Sequence, residues 1–129
     1  MAYMLHVSKG SSSSDIITPS PEIIDQAIGE LLPVKLHFVI LNSETPVNSC
    51  LYIQTIIEDD TSEEVTYYVE TRFEYDNNKF KQYAINLENI DCVKKIFRMF
   101  ALGETPDISG WEDVTQELMK AVANQTKEV

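Results

Sequence analysis

Cationic side chains are scarce in this chain. Ten Lys and Arg face 21 Asp and Glu across 129 residues, for a formal charge of −11. Binding a phosphate backbone needs concentrated Lys and Arg, so nucleic acid is not expected as a partner. Anionic membrane surfaces are disfavoured for the same reason. Glycine is scarce too, at four scattered residues, too few for a phosphate-cradling loop. The two cysteines, Cys50 and Cys92, form no CxxC and cannot build a disulfide framework. Both lie in apolar runs, which predicts free, buried thiols. The two histidines, His6 and His37, lie in predicted strands without a Cys or carboxylate at ligand spacing. A metal site takes three or four clustered ligands, so both read as ordinary strand histidines and no metal or cofactor is expected.

Longer signals are missing as well. The start MAYMLHVSKG has neither the basic opening nor the long apolar core of a signal peptide. No apolar run approaches the ~18 residues that cross a bilayer. Cytoplasmic residence is the resulting expectation, with no membrane partner. No nucleophile elbow or cysteine-centred catalytic signature is present, so the chain does not read as an enzyme. Asp59, Asp60, Glu63 and Glu64 lack the glycine and closing glutamate of a calcium loop and read as a solvated turn.

What is present is enough apolar material to fold. The hydrophobic fraction is 43%, against global disorder, and the length is that of one domain spanning residues 1–129. Residues 3–7 form a first apolar strand. The Gly- and Ser-rich stretch that follows predicts a flexible loop over about 9–18. Ser20, Pro21 and Glu22 suit the cap and first turn of a helix. Ile23, Ile24, Ala27, Ile28 and Leu31 recur at helical spacing, and Pro33 stops the run.

Four strands follow, over 35–41, 50–57, 65–73 and 80–85, separated by polar turns that include residues 42–46 and 76–78. In the third, Val65, Tyr67, Val69, Thr71 and Phe73 alternate with Thr66, Tyr68, Glu70 and Arg72, the period of a half-buried strand. Ile90, Val93, Phe97 and Phe100 make a helical stripe ended by Gly103. Trp111, Val114, Leu118 and Val122 predict a last helix starting near Ser109 or Gly110, with a fraying tail over about 124–129. The expected class is α+β, in the order β-α-β-β-β-β-α-α. An antiparallel sheet of four to five strands would carry helices on one face.

Two groups of residues are candidates for contact with a partner. Tyr68, Glu70 and Arg72 share one strand face, joined by Tyr83 or Lys81 of the paired strand. Tyr and Arg are enriched in binding hot spots, whereas an exposed Glu–Arg pair alone stabilises by at most about 1 kcal/mol. The second group is acidic: Asp107, Glu112, Asp113 and Glu117, around the single Trp111. Glu112 and Asp113 also suit the first turn of the expected last helix. Trp111 reads as a ring that docks that helix onto the sheet.

Three patterns carry a family resemblance. They are Pro19-Ser20-Pro21-Glu22-Ile23-Ile24-Asp25-Gln26-Ala27-Ile28, then Leu51-Tyr52-Ile53-Gln54 with Tyr68-Val69-Glu70-Thr71-Arg72, then Phe100-Ala101-Leu102-Gly103 with Gly110-Trp111-Glu112-Asp113-Val114. In this order they resemble the small α+β immunity proteins of bacterial polymorphic and contact-dependent toxin systems. The resemblance implies a protein that occludes a cognate toxin, and the acidity fits a basic toxin domain. The Ser-rich stretch before the first helix departs from that pattern. Two other classes compete. An acidic secretion-chaperone-like protein would form a homodimer with apolar grooves. A small ligand-binding domain or enzyme would carry a pocket near Tyr52, Tyr68 and His37. Neither the partner nor the oligomeric state is fixed by sequence.

Overall fold

A computed structural model describes residues 3–9, 12–29, 37–59, 66–75 and 79–120. The elements are β1 (Tyr3–Lys9), β2 (Ser12–Ile17), α1 (Pro21–Gly29), β3 (His37–Val47), β4 (Cys50–Asp59), β5 (Thr66–Tyr75), β6 (Lys79–Leu87), α2 (Ile90–Ala101) and β7 (Glu112–Asp113). Residues 115–120 are helical. The strands form one seven-stranded sheet in the order β2-β1-β3-β4-β5-β6-β7, with every neighbouring pair antiparallel. The α+β class and antiparallel sheet agree with the sequence reading. The strand count of four to five does not, because β2 and β7 are additional.

β2 corrects the expectation of a loop over 9–18. Its serines have low strand propensity, but residues 12–17 pair in unbroken register with β1, from Lys9 opposite Ser12 to Met4 opposite Ile17. Thr18, at φ 52°, turns the chain away from the sheet. The expected start of α1 is present: the Ser20 hydroxyl accepts from the Ile23 amide at 3.2 Å, and Pro21 opens the helix. β3 runs past the expected boundary at 42–46. Its register with β4 shifts between Asn42 and Val47, and that irregularity accommodates Pro46. Asn48 and Ser49, both at positive φ, then make a two-residue hairpin turn.

α1 and α2 cover one face of the sheet. α2 touches β3, β4, β5 and β6, and α1 packs along α2. Ile24, Ala27 and Ile28 of α1 and Val93, Phe97 and Phe100 of α2 bury against Leu5, Val39, Leu41, Ile53 and Val69 from the strands. The period of two in β5 selects this face: Tyr67, Val69, Thr71 and Phe73 are buried, while Tyr68, Glu70 and Arg72 are half-buried on the other side. α2 ends as its sequence predicts. Gly103 at φ 90° donates to Phe100 O at 3.0 Å, and Glu104 donates to Met99 O at 3.0 Å, which satisfies two terminal carbonyls.

The last helix begins later than expected. Glu112 and Asp113 are strand, opposite Ala84 and Tyr83 of β6, so neither stands in a helical first turn. A helical bond there runs from Leu118 N to Val114 O at 3.1 Å. Backbone pairing at the edge of β6 has overridden the helical spacing of Trp111 and Val114. Trp111 is half-buried and packs against the core, but it does so from the bend before β7 and not as part of the last helix, which corrects the helix-docking expectation. Cys50 is buried but Cys92, on α2, is exposed, which corrects the expectation for the second thiol. The apolar run around Cys92 is helical, so only one stripe of it faces inward. The expected features at Leu31, Pro33, residues 60–65, residues 76–78, Val122 and the tail lie outside the described residues.

Candidate functional site

The face of the sheet opposite the helices is built from the alternate residues of each strand. Register places Phe38, Ile56, Tyr68 and Asn86 in one cross-strand row, and Ile40, Gln54, Glu70 and Ala84 in the next. A third row crosses the sheet through Ile17, Met4, Asn42, Tyr52, Arg72 and Gln82. Most of these side chains are half-buried, so the face is apolar and aromatic with a polar centre.

Gln82 is that centre, and it is only 1% exposed although it lies on the open face. Its Oε1 accepts from Arg72 Nε at 2.9 Å, and its Nε2 donates to Glu70 Oε2 at 2.7 Å and to the Tyr52 hydroxyl at 3.1 Å. Glu70 and Arg72 are therefore joined through Gln82. The Arg72 guanidinium also stacks over Phe80, 4.4 Å from the ring centroid, and lies 5.7 Å from that of Tyr52. Sequence spacing selected Tyr68, Glu70 and Arg72 correctly as one face. It misplaced the neighbouring strand. Lys81 and Tyr83 stand opposite Phe73 and Thr71, on the helix side, and it is Gln82 that faces Arg72. A polar residue between the charged Lys81 and the aromatic Tyr83 gives no sequence signal of its own.

The edge of β6 behind Gln82 is closed by the chain's last described turn. The Gln82 amide donates to Thr115 Oγ1 at 2.8 Å, and the Val114 amide donates to Gln82 O at 2.8 Å. Asp113 holds this turn. Its Oδ1 accepts from the Thr115 hydroxyl at 2.6 Å and from the Thr115 amide at 3.0 Å. Those two bonds, with a smaller contribution from Lys81, hold the Asp113 carboxyl below its usual range. The Ser109 amide similarly lowers Asp107, accepted at 3.1 Å.

The acidic candidates are thus divided. Glu112 falls in the same cross-strand row as Glu70, through Ala84. Asp113 takes the opposite face with Lys81, whose Nζ is 3.5 Å away. Asp107 is in the loop before β7, and Glu117 is exposed in the helical segment. His6 pairs with Asp15 across β1 and β2 at 2.5 Å. Among the described residues no three His, Cys, Asp or Glu side chains group to hold a metal ion. No helix among them is long and apolar enough to cross a membrane. The chain matches no protein-family model, and neither a curated protein nor a solved structure matches it.

Proposed function

We propose that this chain is a non-catalytic protein-binding domain that contacts its partner through the open face of the sheet. Its role in this reading is that of an immunity protein, which neutralises a cognate bacterial toxin in the cytoplasm by occluding it. The observation that carries the reading is the asymmetry of the sheet. One face is covered by α1 and α2, while the other presents Phe38, Ile40, Tyr52, Ile56, Tyr68 and Phe80 half-buried around the Arg72–Gln82–Glu70 network. Tyrosine and arginine are enriched in interface hot spots, and aromatic residues in interfaces generally. The charge of −11 would steer a basic partner toward the surface.

The test is co-expression with the product of the gene immediately upstream, then affinity capture at low and moderate salt. A one-to-one complex that weakens with salt is the expected result. Ile56→Glu and Tyr68→Glu, on the open face, abolish capture, and Glu112→Lys and Glu117→Lys slow association. An absence of any retained partner at low salt, or full capture by both open-face variants, overturns the reading. A stable homodimer in light scattering would favour the secretion-chaperone class instead.

A further inference from the structure

Two cations of this acidic chain are engaged by carboxylates. Arg98 Nη2 meets Asp25 Oδ2 at 2.8 Å, and Lys81 meets Asp113. Arg72 differs. Its Nε is fixed by Gln82 and its plane is fixed by the Phe80 ring, yet its two Nη nitrogens have no hydrogen-bond or ion-pair partner among the described residues. Glu70, two positions away on the same strand, is directed instead onto Gln82 Nε2. The guanidinium is thus oriented, half-buried and presented with its terminal fork open, at the middle of an apolar face.

An oriented fork of this kind matches a carboxylate bidentately. The surroundings favour a single negative charge. Glu70 lies in the adjacent row, the chain is strongly acidic, and among the described residues no second cation is held beside Arg72 on this face, so a dianion would meet repulsion that a carboxylate largely avoids. Resting on the reading of the open face as a protein-binding surface, we propose that Arg72 is its anchor and takes the carboxylate of an Asp or Glu side chain from the partner protein. The partner's contact patch then has the opposite sign at its centre from its basic periphery. Tyr52, Ile56, Tyr68 and Phe80 exclude water around the pair, which strengthens it.

The anchor is testable on the isolated, isotope-labelled chain by NMR of the arginine side chains. The probe is phenylacetate, with benzyl alcohol as its uncharged match and inorganic phosphate as the dianion, at constant ionic strength. Phenylacetate moves the Arg72 guanidinium resonances saturably, with half-saturation on the order of 10 mM for a ligand of its size. Arg98 stays still, and benzyl alcohol and phosphate leave Arg72 unmoved. Arg72→Lys, followed on the Gln82 side-chain amide, weakens the response at least about fivefold because an ammonium lacks the fork. An unmoved Arg72, an equal response to benzyl alcohol, or tighter binding of phosphate overturns the proposal. Each of those results leaves the co-purification experiment unaffected, so failure of the anchor is distinct from failure of the binding function.

Discussion

Arg72 and Glu70 are two residues apart on one strand face, and Gln82 of the neighbouring strand bridges them by bonding to both. A carboxamide does this because it offers an acceptor and a donor at once. Gln82→Leu removes both ends from an almost fully buried position. The variant should lose about 1–3 kcal/mol of stability in urea denaturation, from polar groups left without partners. The NMR signals of Tyr52 and Arg72 should shift with it. A variant as stable as the parent would mean that the network only decorates the face.

Asp113 supplies a pH-dependent prediction. Its folded-state pKa is lowered, first by the Thr115 hydroxyl and then by the Thr115 amide. A lowered carboxylate contributes stability above its unfolded pKa and loses it as pH falls through the folded value. Carboxyl-detected NMR should therefore find Asp113 titrating below the ordinary aspartate range. In Thr115→Val the pKa should rise toward that range, and stability should become less sensitive to pH on the acid side. An unchanged titration in that variant would show that Thr115 does not set it.

The two thiols should react at very different rates. Cys92 is exposed on α2, while Cys50 is buried, with its thiol pKa raised by desolvation. A chromogenic disulfide reagent should consume one thiol quickly in the native state and the second only in denaturant. Cys92→Ser should abolish the fast phase. Rapid labelling of Cys50 in the native protein would contradict its place under the helices.

Gly103 ends α2 at φ 90°, a conformation that a Cβ disfavours. Gly103→Ala should lower stability by about 1–2 kcal/mol, read as a lower thermal midpoint with an unchanged circular dichroism spectrum. Gly110→Ala is the control. Nothing lies within 4 Å of a Cβ placed there, so little change is expected.

Some of this was legible in the sequence and some was not, for physical reasons. The alternation from Tyr67 to Phe73 gave the buried and open faces of β5, because a strand's period is fixed by its backbone. Ser20 with Pro21, and Gly103, marked helix ends because caps act locally. β2 was hidden because its serines are strand only through pairing with β1, a tertiary effect that propensity does not carry. Glu112 and Asp113 misled for a similar reason: the helical spacing around them is real, but the edge of β6 captures them first. The candidate row of Tyr68, Glu70 and Arg72 was visible, whereas its organising residue, Gln82, depended on register between two strands.

Tyr3 ties the start of the described chain to the end of α2. Its hydroxyl donates to Phe100 O at 2.7 Å and its ring meets that of Phe100 edge-on, across 97 positions of sequence. During synthesis at about 5–20 residues per second, Phe100 is added roughly 5–20 s after Tyr3. Through that interval the apolar side of β1, β3, β4 and β5 has no α2 to cover it. A ribosome-bound fragment stopped before residue 90 should therefore be recognised by chaperones or aggregate, and release from that state should coincide with the emergence of Phe97 and Phe100. The helix-covered core is therefore complete only once Phe97 and Phe100 have left the ribosome.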